Sequence, residues 1–399
     1  MNLESIQQEL QAAGLAGWLF FDHHHRDPMA YRILGLPSDG MVTRRWFYLI
    51  PASGAPRKLV HRIEAGGLDP LPGERAVYSQ WGELRGELAK MLAGLGAHPK
   101  IAMQYSPGGA IPAVSMVDAG TIEMLRELGA EVVSSGDLIS RFDATWSDAM
   151  LASHRAAGRA IDAAITGAFA HVRESLDNGG ELTEYALQQW LVQRLQADGL
   201  DMDEAPIVAT NAHAGDPHYL PASSGSSVIA PGDVLLLDVW GKLAQPGSAF
   251  YDVTWMGYVL RPGETEVPAE FAQTFAIARD ARDAAIELAL ARIAAGAELR
   301  GFEVDRAARA VIATAGLGEF FVHRTGHSLG LDVHSTGANM DDFETHDERR
   351  VLPRTAFTIE PGIYCPGGRA FGVRTEVNVY VGARGAEVTG PRQREFVRI

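Results

Sequence analysis

The sequence predicts two folded parts, an α/β unit over residues 1–145 followed by a larger α+β domain over residues 146–399. Three observations carry this. At 399 residues the chain is longer than one ordinary core organises. Up to residue 145, short apolar runs alternate with helix-period stretches, the pattern of a mixed or parallel sheet. From Trp146 onward, long Ala-rich helical stretches and hairpin-like strands follow without that alternation.

In the first part, "LESIQQELQAAG" has helical spacing and stops at a glycine, and "GWLFFD" follows as an apolar strand. "RRWFYLIPASGAPRKLVHRIE" reads as a hairpin around a Ser-Gly-Ala-Pro turn. "WGELRGELAKMLAGLG" is a helix, "KIAMQY" a strand, and "TIEMLRELGAEVVSSG" a helix then a strand. In the second part, helices are expected over "SDAMLASHRAAGRAIDAAITGAFAHVRESL", "TEYALQQWLVQRLQADG" with Thr183 as N-cap, "AEFAQTFAIARDARDAAIELALARIAAG" and "EVDRAARAVIATAG". Strands are expected at "EAPIVAT", "DVLLLDVWGK", "FYDVTWMGYVL", "AFTIEPGIY" and "GVRTEVNVYVG". "HRTGHSLGLDVH", from His323 to His334, also reads as a buried strand.

Composition narrows the partners. With 46% hydrophobic and 21% charged residues the chain is that of a globular protein. A formal net charge of −15, with no dense basic run, argues against nucleic acid. The N-terminus lacks the basic region and apolar stretch of a signal peptide, and no run is long enough for a membrane span. One cysteine, Cys365, excludes an intrachain disulfide, which fits a reducing cytoplasm. A lone thiol of this kind is ordinarily inert.

The chemistry lies in the second part. Asp238 ends an apolar run and Asp252 sits inside the next one; a carboxylate there is costly unless paired or bound to a metal, though a single such Asp is often a turn or cap. Glu360 follows a strand and precedes Pro-Gly. Arg374, Glu376, Asn378 and Tyr380 alternate with apolar residues, so a period of two puts them on one face, which could equally be solvated. Three histidines fall in the twelve residues from His323 to His334, and glycines at 326 and 330 allow close backbone approach around His327. His218 stands in "GDPHY". Four carboxylates balance two divalent cations in charge, so the set points to an oxygen-rich two-metal site with one imidazole. Mn²⁺ suits such ligands first, with Co²⁺ and Zn²⁺ as alternatives. Two such ions activate water and polarise a carbonyl, which is hydrolytic chemistry.

The ordered motifs from His218 to Glu376 resemble those of the pita-bread metallopeptidases, which include Xaa-Pro aminopeptidase, Xaa-Pro dipeptidase (prolidase), methionine aminopeptidase and creatinase. The resemblance implies a pita-bread catalytic domain over 146–399 preceded by a smaller creatinase-like α/β domain over 1–145. It implies that Asp238, Asp252, His327, Glu360 and Glu376 bind two divalent ions, with Asp252 and Glu376 bridging. It places His323 and Arg374 by the substrate, Arg374 behind the ligands, and assigns catalytic roles to His218, His334 and Glu360. The implied reaction is attack of a metal-bridging hydroxide on the carbonyl before proline, in dipeptides first and in longer peptides as the alternative. A non-catalytic peptide-binding protein of this fold is a second alternative, which the intact ligand set opposes. Creatinase lacks that set. Relatives are commonly dimers, so a homodimer is expected.

The chain also departs from the family. The insertion "WGKLAQPGSAF" sets Asp238 and Asp252 further apart than usual, Trp240 stands where the family has glycine, and Trp255 replaces an arginine. His346, Arg349 and Arg350 are candidates for binding a substrate carboxylate, or are simply a charged loop. His23–His25 could reach a site, a partner subunit's included, or form an exposed loop.

Overall fold

The computed structural model describes residues 1–365 and 370–399. The chain divides into two compact units, Met1–Asp143 and Ala144–Ile399.

The first unit runs α1 (Leu3–Ala12), β1 (Gly17–Asp22), α2 (Pro28–Leu34), β2 (Trp46–Pro51), β3 (Arg57–His61), β4 (Glu74–Tyr78), α3 (Trp81–Ala93), β5 (Lys100–Met103), α4 (Ala119–Glu127), β6 (Glu131–Ser134) and α5 (Gly136–Phe142). Its mixed sheet has the order β4-β3-β2-β1-β5-β6, with the β2–β3 hairpin antiparallel and β5 and β6 parallel to β1. β1 is apolar throughout because both faces are covered: Trp18 and Phe20 enter one core, Leu19 and Phe21 the other. Asp22 ends β1 and accepts hydrogen bonds from the backbone nitrogens of His25, Arg26 and Asp27 and from the Tyr31 hydroxyl. That carboxylate holds the His23–His25 loop, in which His24 and His25 take left-handed φ of 65° and 53°.

The second unit begins with α6 (Asp148–Asp177), α7 (Glu184–Ala197), β7 (Leu200–Asp201), β8 (Ile207–Thr210), β9 (Val234–Leu243) and β10 (Tyr251–Tyr258). Then come α8 (Ala269–Ala294), α9 (Gly301–Thr314), β11 (Ser328–Leu329), β12 (Ala356–Ile359), β13 (Gly362–Cys365), β14 (Phe371–Arg374), β15 (Val377–Val381), β16 (Ala386–Val388) and β17 (Val397–Arg398). Thr183 does cap α7, its hydroxyl accepting from the Ala186 N–H. The antiparallel pair β9–β10 is flanked by β7, β8 and β17, while β11-β12-β15-β16 form a second sheet and β13–β14 a separate hairpin. α6 lies close on β10; a Cβ at Gly158 would stand 2.6 Å from the buried Tyr251 ring.

Two expectations about strands are corrected. "AFTIEPGIY" is two strands broken at Glu360–Pro361, and "GVRTEVNVYVG" is two strands broken at Thr375–Glu376. The breaks face each other, between the pairs Ile359↔Val377 and Gly362↔Arg374. Pro361 has no N–H for the ladder. The Glu360 N–H instead donates to the Thr325 carbonyl at 2.7 Å, and the Glu376 N–H to the Thr254 carbonyl at 3.3 Å. Secondly, the histidine segment is strand only at Ser328–Leu329. The Thr325 and Gly326 nitrogens both turn to the Met340 carbonyl, so the segment is an irregular, tied loop. Of the two readings open for the alternating face of Arg374, Glu376, Asn378 and Tyr380, the buried one holds. Asn378 brackets the Asp252 backbone, donating to its carbonyl at 2.8 Å and accepting from its nitrogen at 3.2 Å.

Asp27 caps α2 by accepting from the Ala30 N–H, is 1% exposed, and has no partner for Oδ2 among the described residues. Burial pushes its carboxyl up to about 7. An unfolded Asp ionises near about 3.9. Between those values the folded unit keeps a proton that the unfolded chain has lost, so stability falls as pH rises through that window. Asp27→Asn keeps the capping oxygen and removes the charge. It is expected to stabilise the protein at pH 8 by about 1–3 kcal/mol and to flatten the decline between pH 4 and 7. Urea unfolding across that range checks this; equal pH slopes for both proteins would contradict it.

Candidate metal centre

The site starts from strand register. On β9, Asp238 and Trp240 share a face; on β10, Asp252 and Thr254 do, and the pairing sets Asp238 opposite Thr254 and Trp240 opposite Asp252. Glu360 and Glu376 stand opposite each other at the breaks and line the same cavity, which has a volume of about 610 Å³. The histidine segment closes on it from another side. The His327 N–H donates to Thr358 Oγ1 at 3.0 Å, and the Thr358 N–H to the His327 carbonyl at 2.8 Å. Asp305 on α9, fully buried, holds the same segment through the Thr325 N–H and hydroxyl. Gly326 is required here, because a Cβ would stand 2.0 Å from the Thr358 carbonyl oxygen.

His327 Nδ1 lies 3.3 Å from the Ser328 carbonyl, which aims Nε2 inward. Nε2 is 3.5 Å from Asp252 Oδ2 and 3.5 Å from Glu360 Oε1. Asp252, His327 and Glu376 each offer a ligand atom within 4.8 Å of the others. Behind them Arg374 pairs with Asp238 and donates through Nε to the Thr254 hydroxyl at 2.9 Å; that hydroxyl is 2.8 Å from Glu376 Oε2. Burial raises Asp238, Asp252, Glu360 and Glu376 above the usual carboxylate range. For Glu376, repulsion from Asp252, Glu360 and Asp238 adds to it. Burial also lowers the His327 imidazole to about 4. Asp252 Oδ1 and Glu376 Oε1 are buried with no hydrogen-bond partner among the described residues. Partnerless carboxylate oxygens around a neutral imidazole lack positive charge, and the donor set fits divalent cations.

The other predicted site residues divide. His218, His323, His334 and Arg374 all line the cavity. His323, however, is engaged with protein at both ring nitrogens: Nδ1 lies 2.7 Å from the Arg324 carbonyl and Nε2 2.7 Å from the Tyr364 hydroxyl. The His334 ring stands perpendicular to His327, centroids 4.3 Å apart. His218 rides on the loop between β8 and β9. That loop is tied to the buried Glu184 carboxylate, which accepts from Thr210 N (2.6 Å), Tyr219 Oη (2.7 Å) and Ser227 N (2.9 Å) and meets His213 Nδ1 at 2.9 Å. The candidates for a carboxylate receptor are corrected. Among the described residues, none of His346, Arg349 and Arg350 lines the cavity. Arg349 is buried and committed to Asp347 and the Thr336 carbonyl, and His346 pairs with Asp342.

The sequence reading leaves out Thr254, Tyr364, Glu184 and Arg324. The period of two from Asp252 carries Thr254 into the site, but threonine is also an ordinary strand former. Glu184 looks like any acid in a first helical turn. Gly326→Ala is expected to cost about 1–3 kcal/mol of stability and to lower the metal retained after gel filtration. Denaturant titration and elemental analysis check this; wild-type values in both would show that the close approach at Thr358 is not needed.

Comparisons with known proteins accord with this geometry. The chain is 28% identical over 340 residues to the probable dipeptidase PepE of Mycobacterium tuberculosis, covering 85% of this chain and 81% of that one. It is similar to the crystal structure of dipeptidase PepE from Mycobacterium ulcerans, with a TM-score of 0.66, 26% identity and coverage of 100% and 96%. A prolidase from Thermococcus sibiricus, 22% identical over 100% of this chain and 98% of its own, shares the fold with a TM-score of 0.61. The fold is the pita-bread fold preceded by a smaller α/β domain. The sequence profile of metallopeptidase family M24 matches residues 152–383, and the chain belongs to that family.

Proposed function

We propose that this protein is a metal-dependent dipeptidase that hydrolyses the peptide bond before proline in Xaa-Pro dipeptides. The observation that carries this is the cluster of four largely buried carboxylates and one imidazole, with two oxygens lacking a partner among the described residues, on the wall of a peptide-sized cavity. Asp238, Asp252, His327, Glu360 and Glu376 would hold two divalent ions, Mn²⁺ first with Co²⁺ or Zn²⁺ as alternatives. Such ions polarise a carbonyl and lower the pKa of water.

The chain's own groups do the rest. Glu360 is half-buried at the cavity wall, where its carboxylate takes the proton of the attacking water and passes it to the leaving imino nitrogen. His218, held out by the Glu184-anchored loop, donates to the oxyanion as charge develops on it. His334 contacts the substrate edge-on to His327. Arg374 and Thr254 fix the orientation of Asp238 and Glu376. Proline makes a dedicated enzyme necessary: the bond before it has no N–H for other peptidases to grip, and part of the population is cis.

The relatives titled dipeptidase favour the dipeptide reading over an aminopeptidase acting on longer peptides. The test is hydrolysis of Ala-Pro beside Ala-Pro-Ala by protein stripped with chelator and resupplied with Mn²⁺. Metal-dependent cleavage of the dipeptide alone is expected. Cleavage of both means an aminopeptidase, and cleavage of neither by metal-loaded protein supports a binding role. Glu376→Ala is expected to lose one or both ions and at least about 100-fold in activity. Unchanged metal content by elemental analysis would remove Glu376 from the ligand set.

A further inference from the structure

We infer that Arg324 is the receptor for the free carboxylate of the substrate's C-terminal residue and thereby sets the preference for dipeptides. This rests on the proposed reaction and adds to it the residue that measures substrate length.

Among the described residues, two arginines line the cavity, Arg374 and Arg324. Arg374 is committed to Asp238 and Thr254. The Arg324 guanidinium has no hydrogen-bond or ion-pair partner among the described residues, although Asp203, Glu204 and Glu344 line the same cavity. Its backbone, by contrast, is fixed on both sides: the N–H donates to Glu344 Oε1 at 2.9 Å, and the carbonyl meets His323 Nδ1 at 2.7 Å. An uncommitted, permanently charged fork held on a fixed backbone is organised for a planar anion. Its place fits the chemistry. The carboxylate of a C-terminal proline is only a few bonds from the bond that is cut, so its receptor has to lie beside the metal ligands. Arg324 sits three residues before His327 and lines the same cavity as the five proposed ligands. The charged loop at 346–350 lacks that access. A longer peptide or an amide carries no charge at this point and leaves the guanidinium unmatched.

The experiment compares Ala-Pro with Ala-Pro amide on the Mn²⁺-loaded enzyme and on Arg324→Gln and Arg324→Lys. The expected result is that the preference for acid over amide in kcat/KM falls roughly 100-fold in Arg324→Gln, mostly through KM, and is partly kept in Arg324→Lys. An equal loss on both substrates, or no loss, overturns the assignment while leaving the proposed reaction standing. If the metal-loaded parent cleaves neither compound, the proposed reaction fails, and calorimetry on chelator-stripped protein decides the receptor separately. Tighter binding of Ala-Pro than of its amide, lost in Arg324→Gln, supports it; no such preference in the parent overturns it.

Discussion

Everything in the second unit answers to one cost, the placing of four carboxylates against one another away from water. Isolated charges in such a place are not sustained without compensation. Arg374 supplies one permanent positive charge from behind, spent on Asp238, and Thr254 joins that pair to Glu376. What remains is a surplus of acid facing the cavity, with Asp252 Oδ1 and Glu376 Oε1 unpartnered among the described residues. A fold that retains this arrangement stores electrostatic tension that a divalent ion relieves on binding.

The backbone is shaped around that cost. The pairing register is the same on both sides of the breaks, so Glu360 stands opposite Glu376, with Arg374 two residues from Glu376 on the same face. At the facing breaks, Glu360–Pro361 and Thr375–Glu376, the ladder opens and the freed N–H groups are taken by Thr325 and Thr254. Regular pairing on either side, Ala356–Ile359 with β15 and Gly362–Cys365 with β14, keeps the breaks from spreading. Gly326 brings the histidine segment into van der Waals contact with the strand that ends at the first break, so His327 and Glu360 are positioned by one backbone contact.

This explains what the sequence makes legible. Helices and their ends are local, and Thr183 reads as a cap because its partner is three residues away. The five residues read as ligands stand out as acids and a histidine in apolar surroundings, and they do meet at one cavity. The strand breaks are not legible, since they depend on hydrogen bonds to Thr254 and Thr325, far away in sequence. For the same reason "HRTGHSLGLDVH" looks like a strand although its backbone pairs with Met340. Arginines carry the least local information: Arg349 and Arg324 are both charged residues near a functional segment, and only tertiary contacts show that one is buried against Asp347 and the other is uncommitted.

The three imidazoles of that segment then have distinct physical roles. Burial lowers His323 to about 3 and His327 to about 4, and the neighbouring His327 lowers His334 to about 3. All three are neutral at physiological pH. A neutral His327 presents a lone pair at Nε2. A neutral His323 donates from Nδ1 to the Arg324 carbonyl and accepts at Nε2 from Tyr364, so it locks a wall rather than moving a proton. None of them can supply fixed positive charge for an anionic group of the substrate. With His323, His327 and His334 neutral and Arg374 already paired, Arg324 is, among the described residues that line the cavity, the guanidinium left to meet an anionic group, which would separate recognition of the substrate's end from the chemistry at its middle.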